Sequence, residues 1–169
     1  NFYKGTLKVS ENPSQEAIKS NESLSRFASY LSQMQKDKPE LVSFDLAALK
    51  SDVASGMYFD SSIPQGYGVG SSGALVAAIY DKYATDKITV LENLTREKLL
   101  KLKTVFSNME SFFHGKSSGL DPLNSYLSLP ILINSKDNIE PAGIPSQKQD
   151  GKGAVFLLDS GASGETAPM

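Results

Sequence analysis

Residues 64–74 form a glycine-rich loop that reads Pro64-Gln65-Gly66-Tyr67-Gly68-Val69-Gly70-Ser71-Ser72-Gly73-Ala74. The loop leads directly into the longest apolar run of the chain, which predicts a buried helix from Ser72 to about Ala84. Glycines let backbone N–H groups approach an anion, and a helix N-terminus adds about half a positive charge and unpaired donors. The loop therefore indicates phosphate binding, with the serine hydroxyls facing a phosphate oxygen or a bound metal.

Three other interpretations of this loop compete with phosphate binding. A P-loop is excluded, because it requires Gly-Lys-Ser/Thr and no Lys occurs from Gly66 to Tyr80. A glycine turn that only connects a strand to a helix is the simplest alternative. The third, a dinucleotide-binding fingerprint, has more in its favour.

The dinucleotide-binding fingerprint is matched by Gly68-x-Gly70-x-x-Gly73, with Glu92 19 residues further on. Such a site would belong to an NAD(P)-binding oxidoreductase domain. Against it, the fingerprint needs a strongly apolar strand directly before its first glycine, and residues 60–64 are Asp-Ser-Ser-Ile-Pro. Phosphate binding is favoured, and this alternative stays open.

A second group of candidate residues follows a long predicted helix from Thr95 to Phe113. Glu110 lies at the edge of the apolar stripe of that helix, where a solvated carboxylate is not expected. His114, the single histidine, comes four residues later, and Asp121 follows across a short loop. The two carboxylates could converge, one to hold a divalent cation and one to orient or deprotonate an alcohol.

Each of these residues also has a structural interpretation. Asp121 precedes Pro122, as in an N-cap and first-turn pair. Glu110 could be a charge on the helix surface, and a lone His114 is often a hydrogen-bonded structural residue.

Composition bounds the class of protein. The 169 residues, 40% hydrophobic and 21% charged, are typical of one globular domain with its own core. No apolar run approaches the ~20 residues of a membrane helix, and 17 basic against 19 acidic residues include no block suited to nucleic acid. The absence of Cys excludes disulfides, Cys-ligated zinc and a thiol nucleophile, and permits a reducing, cytoplasmic location.

The remaining patterns predict an α+β domain, a mixed sheet with packed helices. In the first predicted helix the apolar positions are Ile18, Leu24, Phe27, Ala28, Leu31 and Met34, and in the long helix they are Leu99, Leu102, Val105, Phe106, Met109, Phe112 and Phe113. The other predicted strands lie at 5–11, 57–61, 131–133 and 154–158. A helix is predicted after the turn and helix-start cluster at 12–14 and ends before Pro39, and shorter helices are predicted at 44–49 and from Asp121. Gly115 is predicted to end the long helix, and residues 137–152 are predicted to form a loop.

Together the two groups resemble the GHMP kinase superfamily, and within it the members that phosphorylate mevalonate. Residues 64–74 are similar to the superfamily loop Pro-x-Gly-x-Gly-Leu-Gly-Ser-Ser-Ala-Ala, with Val69 for Leu and Gly73 for the first Ala, both conservative departures. Residues 110–121 resemble a segment in which Glu, His-Gly and Ser-Gly-x-Asp follow at the same offsets, although Ser117 stands where Pro is common. Residues 156–166 resemble the later strand and loop that close over the substrate.

The resemblance implies a role for each matching residue. Gly66, Gly68, Gly70, Ser71, Ser72 and Gly73 would bind the ATP phosphates. Ser71 or Ser72 would join Glu110 in holding Mg²⁺, and Asp121 would be the catalytic residue that orients or deprotonates the substrate hydroxyl. Thr166 and His114 are the candidate substrate-binding residues.

The resemblance also implies a fold and a set of partners. The fold would be a ribosomal-protein-S5-domain-2-like N-terminal domain over residues 1–169, incomplete at its start and without the C-terminal domain, so that the fragment alone is expected to be inactive. The partners would be ATP and a small alcohol, with mevalonate favoured over a sugar, homoserine or phosphomevalonate, and a homodimer is also expected. A non-enzymatic nucleotide-binding role is the further alternative.

Overall fold

A computed structural model describes residues 5–63, 70–89, 94–135 and 138–142. Five helices and four strands lie in this part of the chain. In chain order they are β1 (Gly5–Val9), α1 (Gln15–Asp37), α2 (Leu46–Ala54), β2 (Met57–Ser61), α3 (Ser71–Tyr83), α4 (Arg96–His114), α5 (Leu120–Leu127), β3 (Ile131–Ser135) and β4 (Asn138–Pro141).

The described strands form two small antiparallel sheets. β1 pairs with β2, with Val9 opposite Met57, and the two intervening helices cover this sheet through contacts of α1 and α2 with β2. β3 and β4 form a hairpin whose register shifts between Ile133 and Ser135. Helices packed on antiparallel strands confirm the predicted α+β class.

The core lies between the helices. Leu24, Phe27 and Leu31 of α1 face the apolar stripe of α4, which is buried from Leu99 to Met109. Three rings from α3, α4 and α5 meet edge to face, with centroids 5.0 to 5.6 Å apart: Tyr80, Phe106 and Tyr126. Edge-to-face rings stabilise a core beyond the area they bury, so these rings help to hold the three helices together.

Three helices begin with side-chain caps, and two begin with glycine. Ser14, Asp45 and Thr95 accept hydrogen bonds from backbone N–H groups three residues on, at 3.2, 2.9 and 3.3 Å. Such caps satisfy orphan donors of the first turn. α3 and α5 instead begin after Gly70 and Gly119, each in the left-handed region and without a side-chain cap.

The structure agrees with most predicted elements and corrects three details. Ile18 is 40% exposed, because it lies in the first turn of α1, outside the stripe that meets α4. β4 occupies the start of the predicted loop at 137–152, because pairing with β3 supplies its backbone hydrogen bonds. α2 begins at Leu46 and continues to Ala54, beyond the predicted end at residue 49. The predicted strand at 154–158 lies outside the described residues.

Candidate active site

Helix α3 begins after a glycine, which has no side chain, and its first two residues are serines. Gly70 precedes the helix with φ of +78°, a conformation that glycine adopts without steric cost. Ser71 and Ser72 occupy the first two helical positions, where backbone N–H groups have no partner within the helix. An anion could therefore bind at this helix start, as the sequence predicts.

Glu110 is buried beside this helix start. Its side chain lies on α4 and is 3% exposed, so the interpretation of Glu110 as a surface charge is wrong. The Ser72 hydroxyl donates to Glu110 Oε1 at 3.0 Å, and the Ser117 hydroxyl donates to Oε2. Each carboxylate oxygen thus has one hydroxyl partner, as a buried polar group requires.

His114 closes the same network at the end of α4. Its Nε2 lies 3.0 Å from Ser72 Oγ, while the ring itself is exposed. A hydroxyl group has one hydrogen, so when Ser72 donates to Glu110, Nε2 must carry the hydrogen of the second contact. Gly115, with φ of +70°, ends the helix directly after it, as predicted.

Asp121 lies in the first turn of α5, beside the start of α3. The N-cap of α5 is Gly119, so the interpretation of Asp121 as an N-cap is wrong. Its carboxylate is exposed and hydrogen-bonds to none of the described residues. A Cβ added at Gly73 would lie 2.7 Å from the Asp121 carbonyl carbon and 2.8 Å from Pro122 N. Gly73 is therefore a close packing contact between α3 and α5, and its departure from Ala is not conservative here.

The loop between α4 and α5 contacts α4 at Ser117 and at Gly119. At Gly119 a Cβ would lie 2.3 Å from Lys103 O and 2.6 Å from Ser107 N, and φ is +73°. The Ser107 hydroxyl donates to Ser117 O at 2.6 Å. Ser107 and Ser117 are absent from the predicted site, and the one sequence signal was the presence of Ser117 where Pro is common.

A cleft of about 710 Å³ opens beside these groups, between the start of α1, strand β2 and the start of α3. Hydroxyl groups are frequent in its wall, and three aromatic rings and an imidazole also contribute. Among the lining residues are Ser14, Ser20, Tyr58, Ser72 and His114. Its volume falls within the ~300–1,000 Å³ range of small-molecule sites.

The structure brings seven of the predicted site residues together at the start of α3. Ser71, Ser72, Glu110 and His114 meet at the start of α3, and Gly70 and Gly73 place that helix start against Asp121. Gly66, Gly68 and Thr166, and Glu92 of the dinucleotide alternative, lie outside the described residues. Their roles stay predictions.

The donor set fits Mg²⁺. Hydroxyl and carboxylate oxygens are hard ligands, and Ser72 and Glu110 present both kinds 3.0 Å apart. Within the described ranges no group of three or more Asp, Glu or His could hold a metal by itself. Magnesium is commonly held by one or two carboxylates together with water and substrate phosphates, so two protein ligands suffice.

Comparison with known families assigns the chain. The family model of the GHMP kinases N terminal domain matches residues 27–128, more than half of the sequence. The chain therefore belongs to the GHMP kinase family, which supports the expectation of an ATP-using kinase. The match extends from α1 to the end of α5, and so includes every described site residue.

Two further comparisons and one structural test complete the picture. Neither the curated proteins nor the solved structures contain a match to this chain. In the part of the chain that the structure describes, no helix is long and apolar enough to cross a membrane.

Proposed function

We propose that this chain is the ATP-binding N-terminal domain of a kinase that transfers the γ-phosphate of ATP to the hydroxyl of mevalonate, giving 5-phosphomevalonate and ADP. The observation that carries the proposal is the hydrogen bond between Ser72, at a helix start without a side-chain cap, and the buried carboxylate of Glu110. Groups suited to bind an anion therefore lie beside groups suited to bind a cation, as phosphoryl transfer requires.

The start of α3 would bind the phosphates. Backbone N–H groups after Gly70 point toward the ligand, and the helix dipole adds positive potential at this end. Ser71 or Ser72, together with Glu110, would hold Mg²⁺. That ion neutralises charge on the phosphate oxygens when bound. The nearby cleft has the volume for the remainder of a nucleotide or for the alcohol.

Asp121 would accept or orient the proton of the substrate hydroxyl. Its carboxylate is exposed and, among described residues, unbonded, so it can reach a ligand. Its backbone packs against Gly73, which fixes its distance from the start of α3. A positioned base of this kind contributes about 10²–10⁴-fold to a rate, and positioning with charge neutralisation supplies most of the remainder.

Mevalonate is favoured by spacing. His114-Gly115, then Ser118-Gly119 and Asp121, follow Glu110 at the offsets of the mevalonate-specific members. Homoserine, a sugar of the galactose type and phosphomevalonate are the alternative acceptors within the family. The cysteine-free sequence is compatible with a cytoplasmic location, and a homodimer stays a prediction for solution scattering to test.

The test is coupled ADP release by the complete protein with Mg-ATP and, separately, mevalonate, homoserine or galactose. We expect release with mevalonate, and a fall of about 10²–10⁴-fold in kcat for Asp121→Asn. Asp37→Asn is the matched control, because Asp37 is exposed at the end of α1 and bonds to Gln33 at 2.8 Å. ADP release that Asp121→Asn leaves unchanged would refute the role of Asp121, and release with another alcohol alone would refute mevalonate.

A further inference from the structure

We propose that Ser117 is a positioning residue, which orients the Glu110 carboxylate for its cation and links it to the turn that carries Asp121. This inference rests on the proposed function. It names a residue that the matching family motif does not supply, since Pro is common at this position.

Ser117 is held by three hydrogen bonds, two at its hydroxyl and one at its carbonyl oxygen. Its hydroxyl donates to Glu110 Oε2 and accepts from Gly119 N at 3.0 Å. Its carbonyl oxygen accepts from the Ser107 hydroxyl at 2.6 Å. These bonds join the middle of α4 to the N-cap of α5, so Ser117 is fixed relative to both carboxylate-bearing helices.

The need for such a partner follows from the freedom of a glutamate side chain. The terminal torsion of Glu has no sharp minimum, so burial alone does not decide which oxygen faces Ser72. The bond from Ser117 holds Oε2 and thereby turns Oε1 toward Ser72, 3.0 Å away. A cation bound between Ser72 and Oε1 would take the place of their mutual hydrogen bond, and Ser117 would keep its own.

The same serine links the two carboxylates. Ser117 lies two residues before Gly119, whose backbone is in close contact with Lys103 and Ser107. Asp121 follows Gly119 in the first turn of α5. The distance between the cation-binding carboxylate and the proposed base is therefore set through one hydroxyl and one short segment of backbone.

The test measures cation binding directly, with the complete protein, Mn²⁺ and a non-hydrolysable ATP analogue. Free Mn²⁺ is followed by electron paramagnetic resonance. We expect Ser117→Ala to weaken Mn²⁺ binding about tenfold, the effect of losing one hydrogen bond to a charged group. Ser117→Thr, which keeps the hydroxyl, should stay within about threefold of the wild type.

Ser111→Ala is the matched control. Ser111 is half-buried on the same helix, and its hydroxyl bonds to Ser107 O at 2.7 Å instead of to the carboxylate. We expect this variant to bind Mn²⁺ as the wild type does. If the role of Ser117 were only structural, its variants would have lower melting temperatures than the wild type. Their Mn²⁺ affinities would then not follow the strength of the hydrogen-bond donor at position 117.

The outcomes separate this inference from the proposed function. Wild-type binding with equal affinity in Ser117→Ala overturns the positioning role and leaves the kinase assignment intact. No binding of Mn²⁺ with the ATP analogue by the wild type overturns both. If Ser117→Ala does not fold, Ser117→Cys replaces it in the test. Because a thiol is a weaker hydrogen-bond donor than a hydroxyl, we expect Ser117→Cys to bind Mn²⁺ less tightly than the wild type at a similar melting temperature. Unchanged Mn²⁺ affinity in this variant would refute the inference.

Discussion

The two ends of helix α3 are built in opposite ways, although the helix is only 13 residues long. At the C-terminal end the polar side chains bond to one another. The Tyr83 hydroxyl donates to Asp52 Oδ2 at 2.6 Å, and Lys82 Nζ donates to the same oxygen at 2.8 Å. Asp45 N also bonds to Tyr83 O at 2.8 Å, which ties the helix end to the cap of α2.

At the N-terminal end the polar groups keep capacity for a ligand. Gly70 provides no side-chain cap, so the first N–H groups of the helix are not capped by its N-cap residue. Ser72 bonds to both Glu110 and His114, and the Asp121 carboxylate is exposed beside them. The buried carboxylate at this end is held by hydroxyl groups, whereas Asp52 at the other end is held by a cation.

The difference separates stability from function within one helix. A carboxylate paired with lysine and tyrosine has its charge compensated by the protein. A buried carboxylate bonded only to hydroxyls has no compensating charge among those partners, so it suits a cation that arrives with the substrate. We therefore expect changes at the N-terminal end to alter activity, and changes at the C-terminal end to alter stability alone.

The largest effect is expected for Gly73→Ala. Its new Cβ would lie 2.7 Å from the Asp121 carbonyl carbon, and this backbone atom cannot move aside as a flexible side chain could. Alanine is about 1 kcal/mol better than glycine inside a helix, whereas overpacking costs about 1–3 kcal/mol. We expect a net loss of about 1 kcal/mol in the free energy of unfolding, measured with urea, because the clash outweighs the propensity.

In this variant we expect a larger loss in kcat than in the free energy of unfolding, because the clash displaces Asp121 from the start of α3. A shift of about 1 Å can cost ~10²-fold in rate, and kcat for ADP release measures it. Ala78→Gly in the same helix is the control, with about 1 kcal/mol less stability and unchanged kcat. Equal kcat in Gly73→Ala and the wild type would show that this packing contact does not position the base.

A smaller effect on activity is expected at the opposite end of α3, for Asp52→Ala. Two hydrogen bonds are lost, and the buried Tyr83 hydroxyl keeps only the Met57 sulfur, 3.1 Å away. We expect the free energy of unfolding to fall by about 1–2 kcal/mol, with kcat and the KM for ATP within about twofold of the wild type. A larger change in kcat would contradict the separation between the two ends.

Patterns along the sequence predicted the parts of this site that depend on local order. The stripe of α4 placed Glu110 at a buried edge because helical periodicity alone fixes which residues share a face. The stop at Gly115 followed from the same helix, because a left-handed residue there ends it.

The features that were not predicted from the sequence depend on distances between elements of the fold. The separation of α3 and α5 decides that Gly73 cannot be Ala, and no periodicity reports that separation. The bond from Ser117 to Glu110 forms because the loop folds back onto α4 by way of Ser107. β4 was likewise missed, because its four residues form a strand only through pairing with β3.

The smallest effect concerns the pH dependence of stability at the C-terminal end of α3, where Tyr83 is buried. Burial, more than the neighbouring Asp52, raises the pKa of Tyr83 from 10.0 to about 12. The folded state therefore keeps the Tyr83 proton at a pH where the unfolded chain loses it. Stability from this group is full below pH 10 and is lost as the pH rises toward 12.

Urea unfolding at pH 9, 10 and 11 tests this pH dependence. We expect Tyr83 to account for about 1 kcal/mol of the free energy of unfolding that the wild type loses between pH 9 and 11, and Tyr83→Phe to lose less than the wild type over the same interval. Tyr126→Phe gives a second value for comparison with Tyr83→Phe. Burial also raises the pKa of Tyr126 to about 12, and the Tyr126 hydroxyl donates to Ile88 O at 2.8 Å. An equal slope of stability against pH in Tyr83→Phe and the wild type would show that the Tyr83 hydroxyl is open to water. The contrast between the two ends of α3 would then rest on the partners of the two carboxylates alone.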